Sequence, residues 1–349
     1  MADLNNPMLL LVFIAAAVVT WIAGVSLARA TDVLDDRYGL GEAIGGMILL
    51  SVAGSLPEVA IMLSAATSGH LDIAAGNLIG GVAMQTFVLV IADWFGRGRP
   101  PLSTLAASLI PALEGLLVIA VVSVTIMGGL LPPSASIGPV GVAAIGIGII
   151  WISGMIILNS VRNRPELALG AASTAAIPQR QHAETKDVAD QKQNVRRTIL
   201  IFIVASLATL LAGVALEQSG NMLADNWGIN GVLFGATILS LATALPEISS
   251  GITGMRMGRY TLVFGDMFGG NAFQLTLFIL ADLVAGQPVL PEEGASNAWI
   301  GAVGLLMTAV FVGGIIIRPS RRVAGLGPDS WVVALIYLLG LWGLVVVSQ

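Results

Sequence analysis

Two glutamates in this sequence have neighbours that could do ion chemistry. Glu58 follows Leu56-Pro57, and Glu247 follows Leu245-Pro246, 189 residues later. Both tripeptides lie inside apolar runs. Proline removes a backbone N–H and breaks the helical hydrogen-bond ladder. At membrane depth the freed carbonyls are tolerated only where they face protein or a water-filled cavity. Such carbonyls, beside a carboxylate, make an oxygen-rich site for a hard cation. Two carboxylates of this kind could neutralise one divalent ion. An isolated membrane proline reads more simply as a kink, the reading adopted for Pro111. A lone buried glutamate can be a hydrogen-bonded packing residue. Two glutamates at matched positions, each after proline, argue for a site.

The chain that must position them has 349 residues and a mean hydropathy of +0.90, with 11% charged residues. Soluble domains carry about a quarter, so a water-soluble globular protein is excluded. There is no cysteine, which excludes disulfides, thiol catalysis and Cys-ligated metals, and two histidines, His70 and His182, leave no His-rich metal centre. The composition predicts an all-α integral membrane protein. A spanning helix needs about 20 apolar residues, and ten runs qualify: 8–29, 40–66, 71–94, 102–129, 138–160, 198–216, 229–255, 260–284, 298–317 and 330–348. Ala28-Arg29-Ala30 has the small-x-small form of a signal cleavage site. No basic stretch precedes the first run, however, and that run is too long for a signal peptide.

All 16 Lys and Arg fall in alternate loops, those after runs 1, 3, 5, 7 and 9. The positive-inside rule places these loops in the cytoplasm and both termini outside. The expectation is a multi-pass protein of the plasma (inner) membrane. Its longest polar stretch, 162–197, reads as a cytoplasmic linker between five-helix halves, 1–161 and 198–349.

The halves are related. Aligning Glu58 with Glu247 gives 15 identities in 48 ungapped positions, 46–93 against 235–282. They include Leu-Pro-Glu, the pairs Gly80-Gly81 and Gly269-Gly270, Gln85 with Gln274, and Asp93 with Asp282. An odd number of spans per half inverts the second copy in the membrane. Inverted repeats with broken helices, here spans 2 and 7, are a signature of secondary transporters, whose site lies where the repeats meet.

Gly54-Ser55-Leu56-Pro57-Glu58 and Thr243-Ala244-Leu245-Pro246-Glu247, with Gly76-Asn77-Leu78-Ile79-Gly80-Gly81 and Gly265-Asp266-Met267-Phe268-Gly269-Gly270-Asn271, resemble the two alpha repeats of the sodium/calcium exchanger family. That family lies within the calcium/cation antiporter superfamily, and its motif is close to G-T-S-L-P-E followed by G-N-x-x-G-S-N. The resemblance implies that Glu58 and Glu247 bind calcium, helped by carbonyls of the broken helices. It implies that hydroxyls near the two breaks, here Ser55 and Thr243, and polar residues at Gln85 and Gln274 help bind sodium. The chain departs from the motif at Gly54, Ala244, Gly81 and Gly270, where side-chain oxygens are missing. Gln85 and Gln274 stand where the family usually has Asn or Asp. The divalent-ion carboxylates are therefore kept while much of the sodium-binding oxygen set is not. Protons can compete with a divalent ion for a buried carboxylate pair, so sodium and proton coupling are both open.

Asn77 and Asp266, paired by the repeat, complete the candidate ligand set with Glu58, Glu247, Ser55, Thr243, Gln85 and Gln274. Asp93 and Asp282 read as solvated charges at span ends, and His70 as a solvated loop residue. Glu114 reads as a packing or cavity-facing residue, and Glu42 as one at the cytoplasmic mouth. The function expected is antiport of a divalent cation, Ca2+ first, against Na+ or H+, with a proton-coupled exchanger of another cation as the alternative. An intramembrane enzyme lacks a Cys, an intramembrane His or a protease-like Asp pair. A channel lacks a filter loop. No cofactor and no nucleic-acid partner is expected. The partners are the lipid bilayer and inorganic cations, and the oligomeric state is left open.

Overall fold

A computed structural model describes residues 5–38, 52–162, 195–290 and 294–348. Glu42, the first part of span 2 and nearly all of the 162–197 linker lie outside the described residues. The first half contains α1 (Asn6–Tyr38), α2 (Leu56–Ser68), α3 (Leu71–Phe95), a short α4 (Leu102–Leu105) and α5 (Leu109–Gly128). A hairpin of β1 (Ser136–Ile137) and β2 (Val140–Gly141) then leads into α6 (Val142–Arg162). The second half contains α7 (Val195–Trp227), α8 (Gly231–Phe234), a π-helical turn (Gly235–Leu239) and α9 (Ser240–Thr243). It continues with α10 (Leu245–Met257), α11 (Tyr260–Gln274), α12 (Leu277–Ala285), α13 (Gly294–Ile317) and α14 (Pro328–Val347).

Among the described residues, eight helices are long and apolar enough to cross a membrane. The bent pair Gly231–Thr243 and Leu245–Met257 makes a ninth if counted as one span, with a 48° bend at Ala244. Both breaks fall where Leu-Pro-Glu predicts them. Ser55 (φ −92°, ψ 15°) and Ala244 (φ −79°, ψ 0°) leave the helical region. Pro57 and Pro246 then enter as second residues of α2 and α10, where a missing N–H costs nothing. The carbonyls of Ala53 and Ala242 lose the helical donor four residues on. Gly69 and Gly258, at φ 82° and 76°, close the same two helices in the left-handed conformation that glycine adopts without strain.

The helix boundaries keep the spacing seen in the sequence. α2 and α10 start at 56 and 245 and end at 68 and 257, each pair 189 apart. α1 and α7 pack along one another and on α10 and α2 respectively, while α3 forms the centre, against α10, α11 and α13. Gly24 of α1 abuts the Pro246 ring, and Gly213 of α7 abuts the Pro57 carbonyl, so each long helix is seated on one of the breaks. Exposed Leu11, Ile22, Leu200, Leu211, Leu338 and Trp342 cover the outer faces, an apolar surface suited to lipid tails.

Several expectations are corrected. Span 4 begins at Leu109, so Pro111 sits in the first turn of α5 rather than at a kink. Span 6 runs on to Trp227, well past 216. Span 8 is itself interrupted between Gln274 and Leu277. Span 5 begins at Val142 rather than at 138, after the β1–β2 hairpin.

Asp93 and Asp282 are not solvated, being 0% and 1% exposed. Asp93 accepts from Leu102 N (2.8 Å), Gly327 N (2.7 Å), Ser330 Oγ (2.8 Å) and the Arg322 guanidinium (2.8 Å). Asp282 accepts from Val289 N (2.7 Å) and Gly141 N (2.9 Å). Each ties its own following loop to the start of the last helix of the other half. One backbone donor to each, Gly327 and Gly141, comes from a loop remote in sequence, which is why hydropathy could not reveal their burial. Removing one partner of a buried pair leaves an uncompensated charge and costs about 3–5 kcal/mol. Asp93→Ala should therefore lower the unfolding midpoint in detergent by many degrees. A midpoint equal to wild type would mean that this clamp contributes nothing.

Candidate functional site

Glu58 and Glu247 are the third residues of α2 and α10. In the first turn of a helix, backbone N–H groups and the helix dipole favour negative charge. The two breaks thus aim two carboxylates, each backed by a positive helix end, into the centre of the molecule. Both are buried, at 2% and 9% exposure, and each has one carboxylate oxygen without a hydrogen-bond partner. Such an orphaned oxygen costs about 1–3 kcal/mol or more when charged, so the arrangement suits a visiting cation. Glu247 lies within the fields of Glu58 and Asp266.

A cavity of about 30 Å³ is lined by Gly54, Ser55, Gln85, Glu247, Gly265, Asp266 and Gly270. That is room for one or two waters or a small ion. Four of the eight candidate ligands, Ser55, Gln85, Glu247 and Asp266, are therefore in its wall. Ser250 Oγ donates to Asp266 Oδ2 at 2.6 Å and steadies it. The Oε1 atom of Gln85 is buried without a partner. The other four candidates are packed behind the wall. The Thr243 side chain lies beside Glu58. Its Oγ1 is 3.2 Å from Ser240 O and 3.5 Å from Asn77 Oδ1. Gln274 donates to Leu78 O at 2.9 Å and accepts from Gln85 Nε2 at 3.1 Å.

This last bond joins the two residues that the repeat aligns, and it accounts for the missing serines. A Cβ on Gly81 would lie 3.0 Å from Gln274 Nε2, and one on Gly270 would lie 3.3 Å from Gln85 Oε1. The longer glutamine of each half fills the space above the glycine of the other. Among the described residues, no group of three or more His, Cys, Asp or Glu side chains is placed to hold a metal by itself. A cation here needs neutral oxygens as well as carboxylates.

Sequence reasoning missed three parts of this polar interior. Asn271, fully buried, donates to Thr86 Oγ1 at 3.2 Å. It belongs to the Gly269-Gly270-Asn271 motif, and that was the available signal. Ser240, on the π-helical side of the break, donates to Gly235 O at 2.7 Å. Glu217, 0% exposed, accepts from Ser64 Oγ at 2.6 Å and pairs with His70 Nδ1 at 3.1 Å. His70 is thus anchored at 41% side-chain exposure instead of free in a loop. Ending span 6 at residue 216 hid this pair.

The comparisons agree with this architecture. The chain resembles the structure of the H+/Ca2+ exchanger CAX, at a TM-score of 0.64 and 14% identity over 97% of this chain and 88% of that one. It resembles that of the sodium–calcium exchanger NCX_Mj at 0.60 and 13%, over 96% and 97%. At these identities the likeness speaks for the fold. In sequence it is 24% identical over 269 residues to the inner membrane protein YrbG of Escherichia coli (strain K12), covering 77% of this chain and 75% of that protein. The family described as sodium/calcium exchanger protein matches residues 8–137 and 197–349. That match spans most of both halves, and the chain belongs to the sodium/calcium exchanger protein family.

Proposed function

We propose that this protein is a secondary active antiporter that exchanges a divalent cation, Ca2+ foremost, for H+ or Na+ by alternating access. The observation that carries this reading is the convergence of two Leu-Pro-Glu breaks on one cavity, with Glu247 in its wall and Glu58 within its field. The proposed frame is ten transmembrane helices in two inverted five-helix repeats, with span 2 completed by residues before Leu56. Both termini lie outside and the 162–197 linker lies in the cytoplasm of an inner-membrane protein. Arg99 donates to Met255 O (2.9 Å) and Arg322 to Arg99 O (2.6 Å), which gathers three basic loops at one end and supports that topology. Enzyme activity has no place in this reading, since the family is one of exchangers.

The cavity draws unequally on the two halves. Ser55, Glu247 and Asp266 line the cavity, whereas the residues that the repeat aligns with them, Ala244, Glu58 and Asn77, do not. Glu58, Glu247, Ser55, Thr243, Gln85, Gln274, Asn77 and Asp266 remain the proposed ion-binding set.

The Gln85–Gln274 bond favours protons as the coupling ion. It occupies the space in which the family's serine hydroxyls would face sodium, while two ionisable glutamates persist. Sodium coupling is the second reading. It is favoured by the unpartnered Gln85 Oε1, which could serve a monovalent ion. Calcium-45 uptake into proteoliposomes, driven first by a pH gradient and then by a sodium gradient, decides between them. The expected outcome is uptake that persists without sodium under the pH gradient. Uptake driven strictly by sodium would give the site to the second reading, and no uptake under either gradient would remove the exchange reading.

A further inference from the structure

Glu114, on α5, is a buried acid outside the proposed ligand set. It is 6% exposed, and its Oε2 has no hydrogen-bond partner. Its carboxylate lies over Gly265, where a Cβ would sit 3.4 and 3.6 Å from the two oxygens. Gly265 also lines the central cavity. Gly265 thus borders the cavity and also faces the Glu114 carboxylate, with no side chain of its own in between.

The helices packed most closely on α5 are α6, α11 and α13. Their ionisable groups are few: Arg162 on α6, Tyr260 and Asp266 on α11, and none on α13. Arg162 is exposed at the end of α6, and its charge acts on Glu114. Neither ion pair found among the described residues involves Glu114. Glu114 and Gly265 are each the sixth residue of their helix, counted from the ends that follow Arg99 and Arg259. At 1.5 Å per residue, both lie about 8 Å inside those ends. An acid without a partner, at that depth and beside the cavity wall, suits a cation in transit.

We infer that Glu114 is a transient station for a small hard cation, between the basic-loop face and the central cavity. The inference rests on the exchange reading proposed above. A cation leaving water at that face would meet the Glu114 carboxylate before Glu247, which lies at the end of α10 remote from Arg256. The station therefore affects capture from one side only, unlike the central glutamates, which serve both.

The test is calcium-45 exchange in vesicles of each orientation, carrying wild type, Glu114→Gln or Gly265→Ala. Glu114→Gln keeps the shape and removes the charge. Gly265→Ala keeps the charge and covers it with a methyl at ordinary contact distance. Both variants should raise the KM for Ca2+ at the basic-loop face about tenfold; for Glu114→Gln, which lies outside the cavity wall, the opposite-face KM and the maximal rate should stay within about twofold of wild type. Glu114→Asp should recover part of the loss. An unchanged KM at the basic-loop face, or an equal rise at both faces, would overturn the station while leaving the exchange reading intact. A wild-type protein with no flux from either face would remove that reading, and the station with it.

Discussion

Glu58→Gln and Glu247→Gln are each expected to abolish divalent-ion flux, by about 100-fold or more. Each change keeps side-chain volume and removes one of two carboxylates that a divalent ion needs in a confined site. Removing one partner from a buried charge interaction costs about 3–5 kcal/mol, and every 1.4 kcal/mol is about tenfold in affinity. The fold should not suffer, because each change keeps the side chain's volume and relieves a buried carboxylate that has one oxygen without a hydrogen-bond partner. Thermal unfolding in detergent should therefore show equal or greater stability for both variants, while calcium-45 flux falls to background. Near-normal flux in both would remove the site. Lost flux together with lost folding in both would make the glutamates structural.

The second large effect is expected at the glycine–glutamine contacts. Restoring the family's serine at Gly81 places a Cβ 3.0 Å from Gln274 Nε2, with a hydroxyl still to be housed. Gln274 cannot easily give way, since Leu78 O and Gln85 hold it at 2.9 and 3.1 Å. Overpacking of this kind costs about 1–3 kcal/mol, so Gly81→Ser should lose about tenfold in flux and some stability. Shortening the opposing side chain in the same molecule, Gly81→Ser with Gln274→Asn, removes the conflict and should recover both. The double variant also restores a hydroxyl at one of the family's serine positions, so its flux should gain sodium dependence. A Gly81→Ser protein that transports like wild type would show that the glutamine does not fill the serine's place. A double variant no better than the single would show that the two positions are not coupled.

A companion variant, Gly270→Ser, meets Gln85 Oε1 at the slightly longer distance of 3.3 Å. It should behave in the same direction with a smaller loss. Gln85 Oε1 carries no hydrogen bond and has more freedom to withdraw than Gln274.

Much of this protein follows from local chemistry, and that part was legible in the sequence. Apolar runs of spanning length become helices, because lipid leaves backbone polar groups no other partner. The Leu-Pro-Glu breaks fall at Ser55 and Ala244, because proline removes a donor wherever it stands. The spacing of 189 residues reappears in the bounds of α2 with α10, because equal sequence patterns fold equally. The two glutamates and three further candidate positions in each half could be read from the same pattern.

What only the tertiary structure decided is how remote side chains meet. Asp93 and Asp282 look like solvated charges at span ends until donors such as Gly327 and Gly141, more than 100 residues away, close on them. Pairing of Gln85 with Gln274 could not be read from either half, since each glutamine fills a gap left by the other half's glycine. Which candidates line the cavity was equally hidden. The two glutamates have the same chemistry, and only the packing of α2 on α7 and α12, and of α3 on α10 and α11, sets Glu247 in the wall and leaves Glu58 out of it. Hydropathy and motif spacing report the order of groups along the chain. Cavities, buried hydrogen bonds and the fields between carboxylates depend on distances through space, which fall off within a few ångströms and exist only once the helices have packed.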